Sequence, residues 1–450
     1  DMETIISDAH IHNSTIQGGQ EIGGLVGLLI EDSLIQDSSS SAHVAGRFRV
    51  GGLVGMLDGA TVTHSSSAAT VTGLTTGVDN LGGLVGDTTV GNISYSSFQG
   101  NLDVSDIDSV GVGGIAGHAV VSNIHHVSVH GNISGTEEVG GLFGLLAFSV
   151  VDNAYMQGTV TATEGMVGGF AGIAGIDLTL SNSYAHADVI GSEVVGGFIG
   201  ILIDSIDAGE ELFEGPVNIT NSYALGTVSS TQEDPEHIGG FIGFADGEDI
   251  TIISSYWNTE TSGQSTSAGG TGRTTAQMQN ITTYDGWNIQ ASTNQDLQYP
   301  TLAWQLGKSN PIWLIYQAPV RRTSGSRAPQ SVLQELGITI NPTPESPTTT
   351  TTTTTIQSLL AQIEQLKTLL AQLTNNTPSP QTLVCTPLLR IGSRGENVRM
   401  LQSMLNITAD GIYGPQTANT VRTFQQENNL TVDGIAGNQT CSVLSQTQNQ

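Results

Sequence analysis

Short apolar runs alternate with Gly, Ser, Asn and Asp along the first two thirds of this chain, and the alternation recurs at a nearly fixed period. Its clearest marker is the pentapeptide Gly-Gly-Leu-Val-Gly or a close variant, which occurs eight times in the first 243 residues. The glycine pairs are Gly23 and Gly24, Gly51 and Gly52, Gly82 and Gly83, Gly113 and Gly114, Gly140 and Gly141, Gly168 and Gly169, Gly196 and Gly197, and Gly239 and Gly240. Successive pairs start 28, 31, 31, 27, 28, 28 and 43 residues apart. Runs of β-branched and small residues bounded by turn formers read as strands. No helical spacing of apolar positions interrupts them.

A second segment recurs between the pentapeptides. Aligning the units places Ile6, Ile35, Val62, Ile93, Ile124, Val151, Leu180 and Ile219 in one column. Three positions on stand Ala9, Ser38, Ser65, Ser96, Val127, Ala154, Ser183 and Ser222. The next column is His10, Ser39, Ser66, Ser97, Ser128, Tyr155, Tyr184 and Tyr223. A unit of this length holds about three strands and their turns, and a period in this range marks an array whose units bury their apolar faces against neighbours. The expected fold is mainly β: a β-solenoid (β-helix) of about eight to nine coils, rising about 4.8 Å per coil and on the order of 40 Å long. A propeller blade needs ~40–45 residues, more than these units supply.

The paired glycines are expected at corners, where they permit either a left-handed conformation or a close backbone approach. The apolar residue before each pair (Ile22, Val50, Leu81, Val112, Val139, Val167, Val195, Ile238) should point inward. The repeats, for example VGGLFG…VDNAYMQGTV, resemble the GLUG-motif repeats of bacterial surface proteins, and Ser254–Gln279 resembles the segment that ends such arrays. That resemblance implies surface location and architecture more than chemistry. Ser255 and Tyr256 would then begin a ninth coil, with Trp257, Trp287, Tyr299, Trp304 and Trp313 covering its open edge.

Charge narrows the picture further. The formal net charge is −29, and residues 1–316 hold 34 acidic residues against four basic ones, with no Lys or Arg between 50 and 272. Such a surface repels phosphate backbones, so nucleic acid is excluded as its partner. No apolar run is long enough to span a membrane. The first residues already match the middle of a unit, Ile6 to Ile16 matching Ile124 to Ile133, so the reading expects an upstream portion with any secretion signal.

Beyond the array the character changes. Residues 317–355 form a Pro- and Thr-rich linker ending in eight threonines, an extended segment without a core. Residues 356–374 contain IQSLLAQIEQLKTLLAQL, an amphipathic helix with heptad-like spacing that either joins chains or docks on its own. A short linker, 375–384, leads to 385–450. The expected divisions are therefore 1–253 solenoid, 254–316 cap, 317–355 linker, 356–374 helix, 375–384 linker and 385–450 terminal domain.

That last segment carries two helix patterns, each near an Asp-Gly-hydrophobic-x-Gly turn, Asp410–Gly414 and Asp433–Gly437. It resembles the small three-helix peptidoglycan-binding domain, which implies non-covalent attachment to peptidoglycan without catalysis. Polar residues near its turns, Arg390, Arg394, Gln402, Tyr413 and Gln425, are the candidate ligand contacts. Cys385 and Cys441 are the sole cysteines and flank this domain. They read as a disulfide in an oxidising compartment, the alternative being two buried thiols.

Candidate chemistry is thin. His125, His126 and His130 invite a metal reading, but His130 shares a column with His12 and His186 several coils away, too far for one ion. No metalloprotease helix motif, nucleophile elbow or phosphate loop is present. Acidic loops at Asp204–Glu214, Glu233–Glu236 and Asp246–Asp249 could gather Ca²⁺, though solvated charge is the favoured reading and no cofactor is expected. The expected function is non-catalytic: an acidic surface rod held on peptidoglycan, with a ligand on a host or neighbouring cell as a further partner. A subunit of an extracellular filament, built through the solenoid ends or the linker helix, is the alternative, and a wall or polysaccharide hydrolase the third.

Overall fold

The computed structural model describes residues 4–318, apart from 75–76, 208–211, 234 and 236, and a set of residues between 389 and 444. The chain divides into two units, Asp1–Val320 and Arg321–Gln450. The first is a parallel β-solenoid. One sheet runs through eight strands from Gln20–Gly23 to His237–Gly239, and a second through eight from Val26–Leu29 to Ile242–Asp246. A third, bent face carries the remaining rungs, from Ile5–Ser7 and His10–Gln17 to Ile250–Ile253 and Tyr256–Asn258.

The aligned columns are the observed registers. Ile6 pairs with Ile35, Ile35 with Val62, Ile93 with Ile124, Ile124 with Val151 and Val151 with Leu180. Tyr155, Tyr184, Tyr223 and Tyr256 pair in succession, so a ninth rung is present. Gly23, Gly51, Gly82, Gly113 and Gly140 stand one per coil in the same way. Between the sheets lies one continuous apolar core, with Val50, Leu81, Val112, Val139, Val167 and Val195 fully buried.

Among the described residues, no glycine of the eight pairs has a left-handed backbone. Close approach is their role instead. A Cβ on Gly140 would overlap the Phe143 carbonyl oxygen and lie 2.8 Å from the Ala171 Cα of the next coil. The third glycine of the motif packs equally tightly: a Cβ on Gly144 would lie 2.5 Å from the Val112 nitrogen of the coil before. The left-handed corners fall elsewhere, at Asp8, Asp37, His64, Tyr95, His126, Asn153, Asn182, Asn221 and Ser254, with φ between 46° and 57°. Asn, Asp and His tolerate that region best among residues with a side chain.

Each such bend interrupts the backbone ladder, and the serine column repairs it. Ser65 Oγ accepts the Ser38 N–H at 3.2 Å and donates to the Thr63 carbonyl at 2.8 Å. Ser96, Ser183, Ser222 and Ser255 make the same two bonds along the rod. These buried hydroxyls satisfy backbone groups that would otherwise be orphaned. A second ladder, Ser122 and Ser149, does this at another corner.

The interval of 43 residues holds an antiparallel hairpin, Ser205–Asp207 with Leu212–Glu214. The end of the array differs from expectation. Trp257 does close the interior, its ring lying over Gly240, and Thr271–Arg273 adds a final parallel strand. Trp287, Tyr299, Trp304 and Trp313 instead lie along the flank. Trp304 meets Tyr155 at 5.6 Å, and Trp313 meets Tyr184 and Tyr223 at 6.1 and 5.9 Å. The tyrosine column supplies the reason: its stacked rings, 5.1 and 5.0 Å apart, are a side surface that the following segment covers.

Stacked coils also stack the acidic surface. Self-repulsion destabilises a compact state of high net charge, and the Debye length falls from about 10 Å at 0.1 M salt to about 3 Å at 1 M. Raising NaCl over that range should therefore raise the melting temperature of the solenoid by several degrees in calorimetry. A flat or falling dependence would mean that the charges are already balanced within the fold.

Candidate functional site

In the second unit, the helices Glu396–Met404 and Pro415–Glu427 pack around Leu389, Val398, Leu401, Tyr413, Ala418, Val421, Ala436 and Leu444. Gly414 precedes Pro415, which opens the second helix where its missing N–H costs nothing. Leu389 and Ala436 exchange backbone hydrogen bonds of 3.1 and 2.7 Å, which ties the start of the module to its second turn.

Three of the five candidate ligand residues face inward. Gln402 is 2% exposed and donates to Thr417 Oγ1 at 3.0 Å; Gln425 is 1% exposed and donates to Thr440 Oγ1 at 3.1 Å. The same Gln-to-Thr spacing of 15 residues therefore latches both halves, which gives the duplicated pattern of the sequence its physical reason. Gln425 also accepts the Gly434 N–H, while the buried Tyr413 hydroxyl donates to the Gly434 carbonyl at 3.0 Å. The bonds of Gln425 and Tyr413 described here hold the turn at Gly434. Arg390 is exposed, with its backbone N–H held by Ser393 Oγ. Arg394 and Cys385 lie outside the described residues; Cys441 is buried in the module's core.

Among the described residues of the solenoid, polar side chains gather at several places, including a groove and a corner. The first is the groove between the two eight-stranded sheets, where a cavity of about 490 Å³ is lined by Arg49, Asp79, Asn80 and His118 among others. Arg49 is bound there by Glu21 at 3.0 Å and Asp87 at 3.4 Å. The second is the left-handed corner around His126. His125 and His126 approach through their Nδ1 atoms at 3.1 Å, Tyr95 stacks on His126 at 4.6 Å, and His64 stacks on Tyr95 at 4.8 Å. Burial holds the His125, His126, His130 and His186 rings below the usual histidine range, with Asp152 opposing this at the first two.

His130 lies in register with Gln99 and Gln157, and His186 stands one coil beyond Gln157, two from His130, as its column implied. At the acidic insertion, the Asp204 carboxylate accepts the Asp249 N–H at 2.7 Å, which holds its pKa down and occupies it within the fold. Glu210, Glu211, Asp234 and Glu236 lie outside the described residues. Among the described residues, no group of three or more His, Cys, Asp or Glu is placed to hold a metal ion, and no helix is long and apolar enough to cross a membrane.

A parallel β-solenoid joined in sequence to a small helical module is thus the class that fold and site define. Residues 394–444 match the family model "Putative peptidoglycan binding domain". Over 201 residues, 38% of this chain, the sequence is 32% identical to halomucin of Haloquadratum walsbyi. The aligned region spans only 2% of halomucin's length. No solved structure matches.

Proposed function

We propose that this chain is a non-catalytic structural protein of the cell surface, held on peptidoglycan by residues 385–450 and presenting an acidic, regularly laddered solenoid. The family match at 394–444 is the observation that carries this reading. In support, the described core residues from Leu389 to Leu444 pack as one small helical cluster. The solenoid's polar side chains are spent on repair and pairing: serines bond backbone, Arg49 is bound by two carboxylates, and Asp204 latches a loop. No acid stands opposite a second carboxylate in these arrangements. Ser39 Oγ does lie 2.8 Å from His10 Nδ1, and Asp8 3.1 Å from its Nε2, but His10 and Asp8 are exposed to solvent.

On this reading 1–253 are repeats of the GLUG type and 254–316 are their cap, which closes the array with the rung Tyr256–Asn258 and the strand Thr271–Arg273. The segments 317–355 and 375–384 are linkers outside the cell, 356–374 is an amphipathic helix that joins chains or docks on its own protein, and Cys385 bridges Cys441. Laddered repeats offer a partner the same side chains many times over, and tethering raises their effective concentration at the surface. Such multivalency suits adhesion to a neighbouring surface.

The test is retention on purified peptidoglycan sacculi. The whole chain should pellet with the sacculi, and a chain ending at residue 384 should stay in solution. Equal retention of both forms would remove the anchoring role.

A further inference from the structure

We infer that the corner formed by His125 and His126 binds a divalent transition-metal ion that prefers imidazole nitrogen, copper(II) before zinc(II). Adjacent residues of a strand ordinarily point to opposite faces. Here the left-handed backbone of His126, φ 56°, turns the chain so that both rings meet on the outside of the bend. Their Nδ1 atoms stand 3.1 Å apart, with ring planes at 88°. Two nitrogens that each lie about 2.0–2.1 Å from one ion are themselves about 3 Å apart at a near-tetrahedral or square angle.

The second ring is held in place. Tyr95 stacks on His126 from one side at 4.6 Å, and Trp304 meets it edge-on at 5.5 Å. Across the other coils, the same two columns carry Thr63 and His64, Ser94 and Tyr95, Asp152 and Asn153, and Ser181 and Asn182. Only the His125 coil brings two imidazoles together among these. Asp152, in register with His125, places a negative charge one rung along. Its carboxylate is already held by Asn153, Ser181 and Asn182 and so adds charge rather than a third ligand, and the acidic array concentrates cations around it.

In the structure the two nitrogens share a hydrogen bond, so one ring donates N–H and the other accepts. To bind the ion, the donor ring takes the tautomer with its proton on Nε2, and the His125 ring turns so that the two Nδ1 lone pairs, which point toward each other in the hydrogen bond, converge on the metal. The protein supplies two ligands and water fills the remaining positions. Imidazole ligands rank copper(II) above zinc(II).

Copper(II) titrated into the whole chain tests this, because a bound ion at this corner quenches the adjacent Trp304. Quenching should saturate at one ion per chain. His125→Ser and His126→Asn take residues that neighbouring coils already use in the same columns, so both should fold. Each should weaken the quench at least tenfold, whereas His12→Ser should leave it unchanged. Trp304→Phe should lose the quench but keep the binding seen by calorimetry. Quenching that survives both histidine variants, or that appears only at millimolar copper, would overturn the proposal.

Discussion

Gly140→Ala is expected to destabilise the solenoid by about 4 kcal/mol or more, which places it among the most disruptive single substitutions. The added methyl would overlap the Phe143 carbonyl oxygen and press the Ala171 Cα at 2.8 Å. Both obstacles are main chain within the ladder, so no side-chain rotation relieves them. The strands Glu137–Gly140 and Phe143–Ala147 must separate, and each also carries pairings to its neighbours. Because coils are stabilised mainly by their neighbours, hydrogen-exchange protection should fall in the coils on both sides as well. Gly19→Ala is the matched control: a Cβ there meets nothing within 4 Å, and its backbone is not left-handed. A Gly140→Ala protein as stable as the Gly19→Ala protein would show that the corner tolerates a side chain.

The second large effect is at the aromatic end of the core. Phe198 is fully buried between Phe170 and Phe241, with ring centroids 4.7 Å away on each side. Phe198→Ala removes a whole ring from a column in which the coil spacing forbids collapse, so the cavity persists. The expected loss is about 3–5 kcal/mol, read as a shift in urea midpoint. Tyr95→Ser, on the exposed corner, should change stability far less, because Tyr95 is 47% exposed and serine already occurs in that column at Ser254. Comparable losses from both substitutions would mean that the core is not organised as this ladder.

The repeat's own arithmetic made the fold legible. Once the columns headed by Ile6, Ala9 and Gly23 are aligned, the period forces one register, and the observed pairings follow it through the 43-residue interval. What stayed hidden depends on atoms rather than on spacing. A glycine pair reads equally as a left-handed turn or a close approach, and only the Val85 or Phe143 carbonyl decides between them. Asp37, Tyr95 and Asn153 look unrelated in sequence, yet share one backbone conformation. The serine column was visible, but its repair of the broken ladder was not.

Hydrophobicity alone says that Trp287, Trp304 and Trp313 must be covered, without saying whether an end or a side does so. The stacked Tyr155, Tyr184 and Tyr223 rings settle that for the side. In the helical module, Gln402 and Gln425 look like surface polar residues because their threonine partners stand 15 residues away. Tyr413 misleads for the same reason, since its acceptor is the Gly434 carbonyl.

The coil-per-repeat register underlies both the laddered surface and the His125–His126 corner, and one distance measures it. Gln36 and Thr220 lie on the same outer column, linked through Thr63, Ser94, His125, Asp152 and Ser181. Six rungs at about 4.8 Å separate them by about 29 Å. Spin labels at Gln36→Cys and Thr220→Cys, in a chain ending at residue 318 and so free of other cysteines, should give a single narrow distance near that value in pulsed electron resonance. A broad distribution, or one centred far from it, would contradict the solenoid.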